Sequence, residues 1–220
     1  QLAQRQETSS GLTTAERAYE DRTWAFGHVI VDEAQELSAL AWRMVMRRIP
    51  NRWMTVIGDT AQTGDVAGTS SWADVFSGYV ADRWRLRELT INYRTPSEIT
   101  HYANRLLAQI DPAQTPPEAL RSNGIAPYAI RTTESELLAT AERAAEATAG
   151  QGLTVIIVDD ARAAARLAAG APPRDPEAPV QVLGITAAKG LEFDTVIVVE
   201  PAELAAASER GLSDLYVALT

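Results

Sequence analysis

The 220-residue chain has no cysteine, one lysine and two histidines, His28 and His101. The lack of thiols excludes a disulfide scaffold, a cysteine nucleophile and a thiolate metal site, and two histidines exclude a His-rich metal cluster. Catalysis, if the chain performs it, must use carboxylates, arginine, the single lysine or a bound metal. No apolar run approaches the roughly 18 residues needed to cross a bilayer, and residues 1–21 are polar without a signal-peptide core, so no membrane role and a cytoplasmic setting are expected. Cations are scarce as well. Lys plus Arg number 20 against 29 for Asp plus Glu, a net charge of −9, which excludes broad basic coating of nucleic acid or anionic membrane but leaves room for a narrow basic groove.

What is present is a soluble globular composition, 46% apolar and 22% charged. Leu, Ile, Val and Phe total 49 and Ala adds 38, so much of the burial must come from closely packed helices. The second half carries the acid, with 8 basic against 16 acidic residues after position 110. Nineteen Arg against one Lys, with the alanine excess, point to a GC-rich coding sequence in which a retained lysine draws notice.

Hydrophobic patterning predicts alternating strands and helices. His28 to Val31 and Met54 to Ile57 are short β-branched runs ended by polar residues, with Leu37, Leu40, Ala41, Met44 and Val45 at helical spacing between them, a βαβ unit. Thr13 to Arg22, Ser70 to Val80 and Pro96 to Ile110 read as helices, the last with Thr95 as cap and Pro96 at its first position. Leu89 to Ile91 is a predicted strand. Residues 111–124 concentrate proline and turn formers and read as a loop or insertion near a domain boundary. Beyond it, strands are predicted at Tyr128 to Ile130, Thr154 to Val158, Val180 to Ile185 and Thr195 to Val199, with helices at Glu134 to Thr148, Ala161 to Ala169 and at the end of the chain. The pattern implies an α/β fold with parallel sheets.

Five segments carry candidate chemistry. In IVDEAQ, Asp32 and Glu33 directly follow a strand, where one carboxylate can hold Mg²⁺ and the other can position a water; acids easing a helix N-terminus account for them equally well. In GDTAQ, Gly58 permits a tight turn and Gln62 offers an amide that can both donate to a phosphate and accept from water. In LTINYRTP, Tyr93 offers a ring for base stacking and Arg94 a charged fork suited to phosphate, or else a core aromatic and a surface ion pair. In ITAAKGLEFDTVIVV, Lys189 and Gly190 form a turn between strands and Glu192 stands within reach of a ribose hydroxyl, or is an exposed loop acid. LYVALT, the fifth, is apolar.

Taken in order, IVDEAQ, GDTAQ, NYRTP, AAKGLEF and YVALT resemble motifs II to VI of the UvrD-like superfamily 1 helicases and translocases, over most of residues 28–220. The resemblance implies RecA-like, P-loop NTPase parallel sheets with helices on both faces: residues 1–95 as the latter part of one domain and 96–220 as most of a second. Its cofactors would be ATP and Mg²⁺. It implies Asp32 as the Mg²⁺ ligand, Glu33 as the base acting on water, Gln62 as γ-phosphate sensor and Arg94 as arginine finger. Tyr93 would stack adenine and Glu192 contact ribose, with Gln35, Lys189 and Gly190 also in the nucleotide site.

The chain departs from that family in three respects. No GKS or GKT phosphate loop occurs, the sequence stops at Thr220 before the second γ-phosphate arginine, and Thr186 stands where the family usually carries a histidine that contacts single-stranded DNA. The chain is therefore expected to be a fragment of an ATP hydrolase, inactive in isolation. With the DEAQELSALAWRMVMRRIP stretch and the GDTAQTGDVAGTSSW loop, these departures resemble the HelD-type branch of actinobacteria, which implies release of RNA polymerase from nucleic acid as the function and a transcription-associated location. The alternatives are a UvrD-type helicase acting on single-stranded DNA, with Trp72 as a stacking ring or a core residue, and a nucleotide-independent interaction module, against which intact IVDEAQ and NYR weigh.

Overall fold

The computed structural model describes residues 25–220 except 66, 149, 151, 173, 174 and 176; the helix predicted at Thr13 to Arg22 lies outside them. Val29–Val31 forms β1 and Met54–Val56 forms β2, parallel, with Val29 opposite Met54. Parallel neighbours need a crossover, and helix α1, Ala39–Arg48, supplies it. Ser38 caps that helix by accepting from the Ala41 N–H, and Trp42 and Met46, one turn apart, are its buried face. Helix α2, Trp72–Val80, is capped the same way by Ser71. The Phe76 ring meets Trp42 edge-on at 5.5 Å and stacks with Trp72 at 6.2 Å. These rings close over Val31, Met54 and Val56, while Ile30 faces outward.

Strand β3 is Ile91–Asn92, shorter than and shifted from the Leu89 to Ile91 prediction. Its partner is a strand of only two residues, β4, Glu118–Ala119, so no ladder reaches Leu89, which is 91% exposed. That partner lies inside the Pro-rich 111–124 segment, which joins the fold rather than serving only as a spacer. Helix α3, Ser97–Ile110, runs between the two strands. Pro96, with ψ 151°, is its cap residue, displacing the predicted Thr95. The Thr95 hydroxyl donates instead to the Thr220 carbonyl at 3.1 Å. Tyr128 to Ile130 forms no strand; Tyr128 and Ile130 are exposed and pair with no other segment.

The largest sheet has strand order β6-β5-β7, all parallel, from β5, Thr154–Val158; β6, Val180–Gly184; and β7, Thr195–Val198. The central strand is buried at every position. Its side chains alternate between two cores, as a pleat requires. Val155 and Ile157 pack beneath helices α7, Pro201–Ala206, and α8, Gly211–Leu219, against Leu204 and Ala218. Ile156 and Val158 face α4, Leu137–Glu146, against Ala141 and Ala145, with Ala163 of α5, Asp160–Ala168, alongside. The short helix α6, Ile185–Ala188, follows β6 directly, so it separates the Lys189–Gly190 turn from the strand. The fold is thus the expected α/β type, parallel strands with helices on both faces. No helix among the described residues is long and apolar enough to cross a membrane.

Candidate functional site

Strands β1 and β2 end side by side, and each delivers polar residues at its carboxyl end, the edge where open α/β sheets bind ligands. After β1 the chain turns at Glu33, whose φ of 49° and ψ of 37° are left-handed. A non-glycine residue held there stores strain, and such residues cluster at functional sites. The Glu33 N–H donates to Asp32 Oδ1 at 2.9 Å, and both side chains stand exposed at the edge. A 3-10 turn, Ala34–Glu36, then buries Gln35 to 2% exposure.

Gln35 spans the two strand ends. Its Nε2 donates to Glu33 Oε2 at 2.7 Å, and its Oε1 accepts from the Asp59 N–H at 3.1 Å. A Cβ at position 58 would overlap Gln35 Oε1, so Gly58 is what lets the amide close on the second strand end. Asp59 in turn caps the 3-10 turn Thr60–Gln62, accepting from Ala61 N–H at 2.9 Å through Oδ1 and from Gln62 Nε2 at 3.1 Å through Oδ2. Glu33, Gln35, Asp59 and Gln62 therefore form one hydrogen-bonded chain, with the exposed Glu33 carboxylate at one end and the Gln62 amide at the other.

Asp32 is an exposed carboxylate at the end of β1. Among the described residues no group of three or more His, Cys, Asp or Glu could enclose a metal. One exposed carboxylate at a strand end fits Mg²⁺, which keeps several waters and binds through one or two carboxylates plus the phosphates it accompanies.

The other predicted residues sit elsewhere. Arg94 pairs with Glu192 at 2.7 Å, both side chains more than half exposed, and Tyr93 beside them is 73% exposed. Asn92 Oδ1 fixes that turn by accepting from the Arg94 and Thr95 N–H groups at 2.9 and 3.0 Å. Lys189 pairs with Asp214 of α8 at 3.1 Å, and its ammonium lies over Gly64, where a Cβ would overlap Nζ. The Gly64 N–H donates to Glu36 Oε1 at 3.1 Å. Lys189 thereby ties α8 to the loop after GDTAQ. Gly190 follows with φ 72°.

Sequence reasoning missed Asp59, Asp214, Gln114 and Tyr216. Asp59 lay in a segment already singled out, but Gly-Asp after a strand also makes ordinary turns. Tyr216 lies in LYVALT, which is uninformative by itself, and Asp214 and Gln114 carry no local signal, because their contacts are distant in sequence. Thr186, one of the departures from the family pattern, donates its hydroxyl to Asp160 Oδ2 at 2.6 Å and its N–H to Asp160 Oδ1 at 3.2 Å. A cleft of about 530 Å³ between α1 and α2, bordered by Trp42, Ser71 and Tyr79, includes none of the predicted site residues. Asp32 and Glu33 lie on the open strand edge instead.

The model of one protein family, the viral superfamily 1 RNA helicase core domain, matches residues 3–220. No curated protein matches the chain.

Proposed function

Because the chain belongs to the viral superfamily 1 RNA helicase core family, we propose that it forms the hydrolytic and sensing part of an ATP-driven motor. The buried Gln35 amide, bonded to the Glu33 carboxylate and to the Asp59 N–H, carries the reading. An amide in that place holds a water-orienting carboxylate at fixed geometry and links it to the segment bearing Gln62. Mg²⁺ would be held by Asp32 and would neutralise charge developing on the phosphates. Glu33 accepts a hydrogen bond from the attacking water and aligns it. Gln62 has a second N–H and a carbonyl oxygen beyond its bond to Asp59, enough to touch both a γ-phosphate and that water. Arg94 and Glu192 hold each other, so nucleotide must part them before Arg94 reaches phosphate and Glu192 ribose. An exposed pair of this kind is worth at most about 1 kcal/mol, a small cost beside a triphosphate contact.

The test is Glu33→Gln in the full-length protein. The change keeps size and one acceptor oxygen for Gln35 but removes the charge and the second acceptor that orient water, so turnover is expected to fall by about a thousandfold or more while ATP affinity stays nearly unchanged. Comparable kcat in the variant and the parent would rule the role out.

The partner we propose is RNA polymerase rather than single-stranded DNA, in a HelD-type, cytoplasmic motor. The acidic second half supports this, since a strand-driven track needs several Lys or Arg phosphate contacts. Thr186 also supports it: its hydroxyl and N–H are both engaged by Asp160, leaving a carboxylate where a strand contact would have to form. Titrating purified polymerase and, separately, single-stranded DNA into the full-length ATPase at fixed salt is expected to show stimulation by polymerase. Strong stimulation by DNA with no polymerase binding would favour a UvrD-type helicase.

A further inference from the structure

Asp59 is where three distant parts of the chain converge. Its Oδ1 accepts from Ala61 N–H and also from Gln114 Nε2 at 3.2 Å, and its Oδ2 accepts from Gln62 Nε2. From α8 the buried Tyr216 faces it; burial, and then the Asp59 charge, push the phenol up to about 12. A carboxylate with donors on both oxygens has little freedom to rotate, and its orientation decides where the Gln62 amide lies.

Gln114 is brought to Asp59 by a defined turn. The Asp111 N–H donates to Leu107 carbonyl at 2.8 Å, the Asp111 side chain accepts from Ala113 N–H at 3.0 Å, and Gln114 N–H returns to the Asp111 carbonyl at 3.2 Å. Downstream, β4 pairs with β3 and the Leu120 N–H donates to the Asn92 carbonyl at 2.9 Å. Both ends of the segment are anchored. Gln114 Oε1, however, is buried without a hydrogen-bond partner. An orphaned carbonyl oxygen costs stability, so an apolar side chain of the same length would serve packing alone better. What the amide adds is its donor to Asp59.

We propose that Gln114 is a positioning residue that sets the Gln62 amide through Asp59, making the Pro-rich 111–124 segment a working part of nucleotide discrimination. The proposal rests on Gln62 being the γ-phosphate sensor. With Asp59 steadied on one oxygen by Gln114, Gln62 presents its free N–H in one direction, toward a group that ATP has and ADP lacks. Without Gln114 the carboxylate turns more freely and the amide is no longer pre-aligned, so part of the preference for the triphosphate is lost.

The test uses the full-length protein with Gln114→Met, equal in length but lacking the donor, and Gln114→Glu, which sets a second carboxylate beside Asp59. Affinities for Mg²⁺–ATPγS and Mg²⁺–ADP are read with fluorescent nucleotide analogues, and thermal melting is read alongside. In Gln114→Met the preference for the triphosphate is expected to fall about 5- to 10-fold, with ADP affinity held within about twofold and melting unchanged or raised. Gln114→Glu is expected to lose more, because like charges repel. A parallel fall in both affinities and in melting temperature would mark a merely structural residue and overturn the proposal, as would full preference in both variants. If the unmutated protein binds neither nucleotide, the functional reading fails and takes the proposal with it. If it binds both equally, the sensor role of Gln62 fails.

Discussion

Gly58 has no room for a methyl group. A Cβ there would overlap Gln35 Oε1, sit 3.1 Å from the Trp72 ring and 3.2 Å from the Ala34 nitrogen, and the last of these is backbone that cannot move aside. Gly58→Ala is therefore expected to destabilise by roughly 1–3 kcal/mol in denaturant unfolding, and to lower turnover further by pushing Gln35 off Glu33. Gly78 provides the contrast. It lies within α2 with nothing within 4 Å of its added Cβ, so Gly78→Ala should stabilise by about 0.5–1 kcal/mol, through helix propensity and a less flexible unfolded chain. In sequence, one glycine follows a strand and the other falls within a helix, and neither pattern gives the space around it. Only the atoms around each separate a residue needed for close approach from one that a helix would rather replace.

At the scale of elements, the 111–124 segment behaves as a strap laid across α3. Glu98 in the first turn of α3 accepts from the Ser122 hydroxyl and from the N–H groups of Gly124 at 2.8 Å and Asn123 at 3.4 Å. These bonds, that of Ser122 first, hold the Glu98 carboxyl down to about 2 against an ordinary 4.5. A carboxyl lowered on folding adds stability that is fully present above its unfolded value and lost as pH falls through the folded one. Acid titration of unfolding is thus expected to show stability falling from about pH 4.5 toward pH 2, and Glu98→Gln should flatten that part of the curve by lowering the plateau near neutrality toward the acid value. An unchanged slope would remove Glu98 from the strap. Composition predicted a loop here because proline and turn formers do not propagate a helix. It did not show that two residues of the loop would find a parallel partner in Ile91–Asn92.

At the scale of the whole molecule, the strands occupy separate sheets, and the packing of α3 on α8 links the parts between them. Leu107 of α3, 1% exposed, packs with Ala61, Ala103 and Tyr216. The segment bearing Gln62 and the YVALT helix therefore share one small core. Leu107→Ala is expected to cost about 2–5 kcal/mol, the lost burial plus the cavity left behind. Hydrogen exchange should quicken at residues 60–62 and 211–219 together. Exchange that quickens at only one of them would show that the shared core does not couple the two.

The sequence by itself determined the α/β class, because strands buried on both faces must be β-branched runs and crossover helices must carry a periodic apolar stripe. It also placed Asp32, Glu33 and Gln62 after strands, and a strand's carboxyl end is where a parallel sheet leaves side chains free. Tertiary structure alone decided how those residues are joined. Gln35 is a bridge between Glu33 and Asp59, Lys189 is paired with Asp214 over Gly64, and Thr95 reaches Thr220, none of which has a signature in local pattern. Periodicity records which face of an element is buried. It is silent on which distant polar group will meet a side chain there, since that depends on how separately formed elements pack.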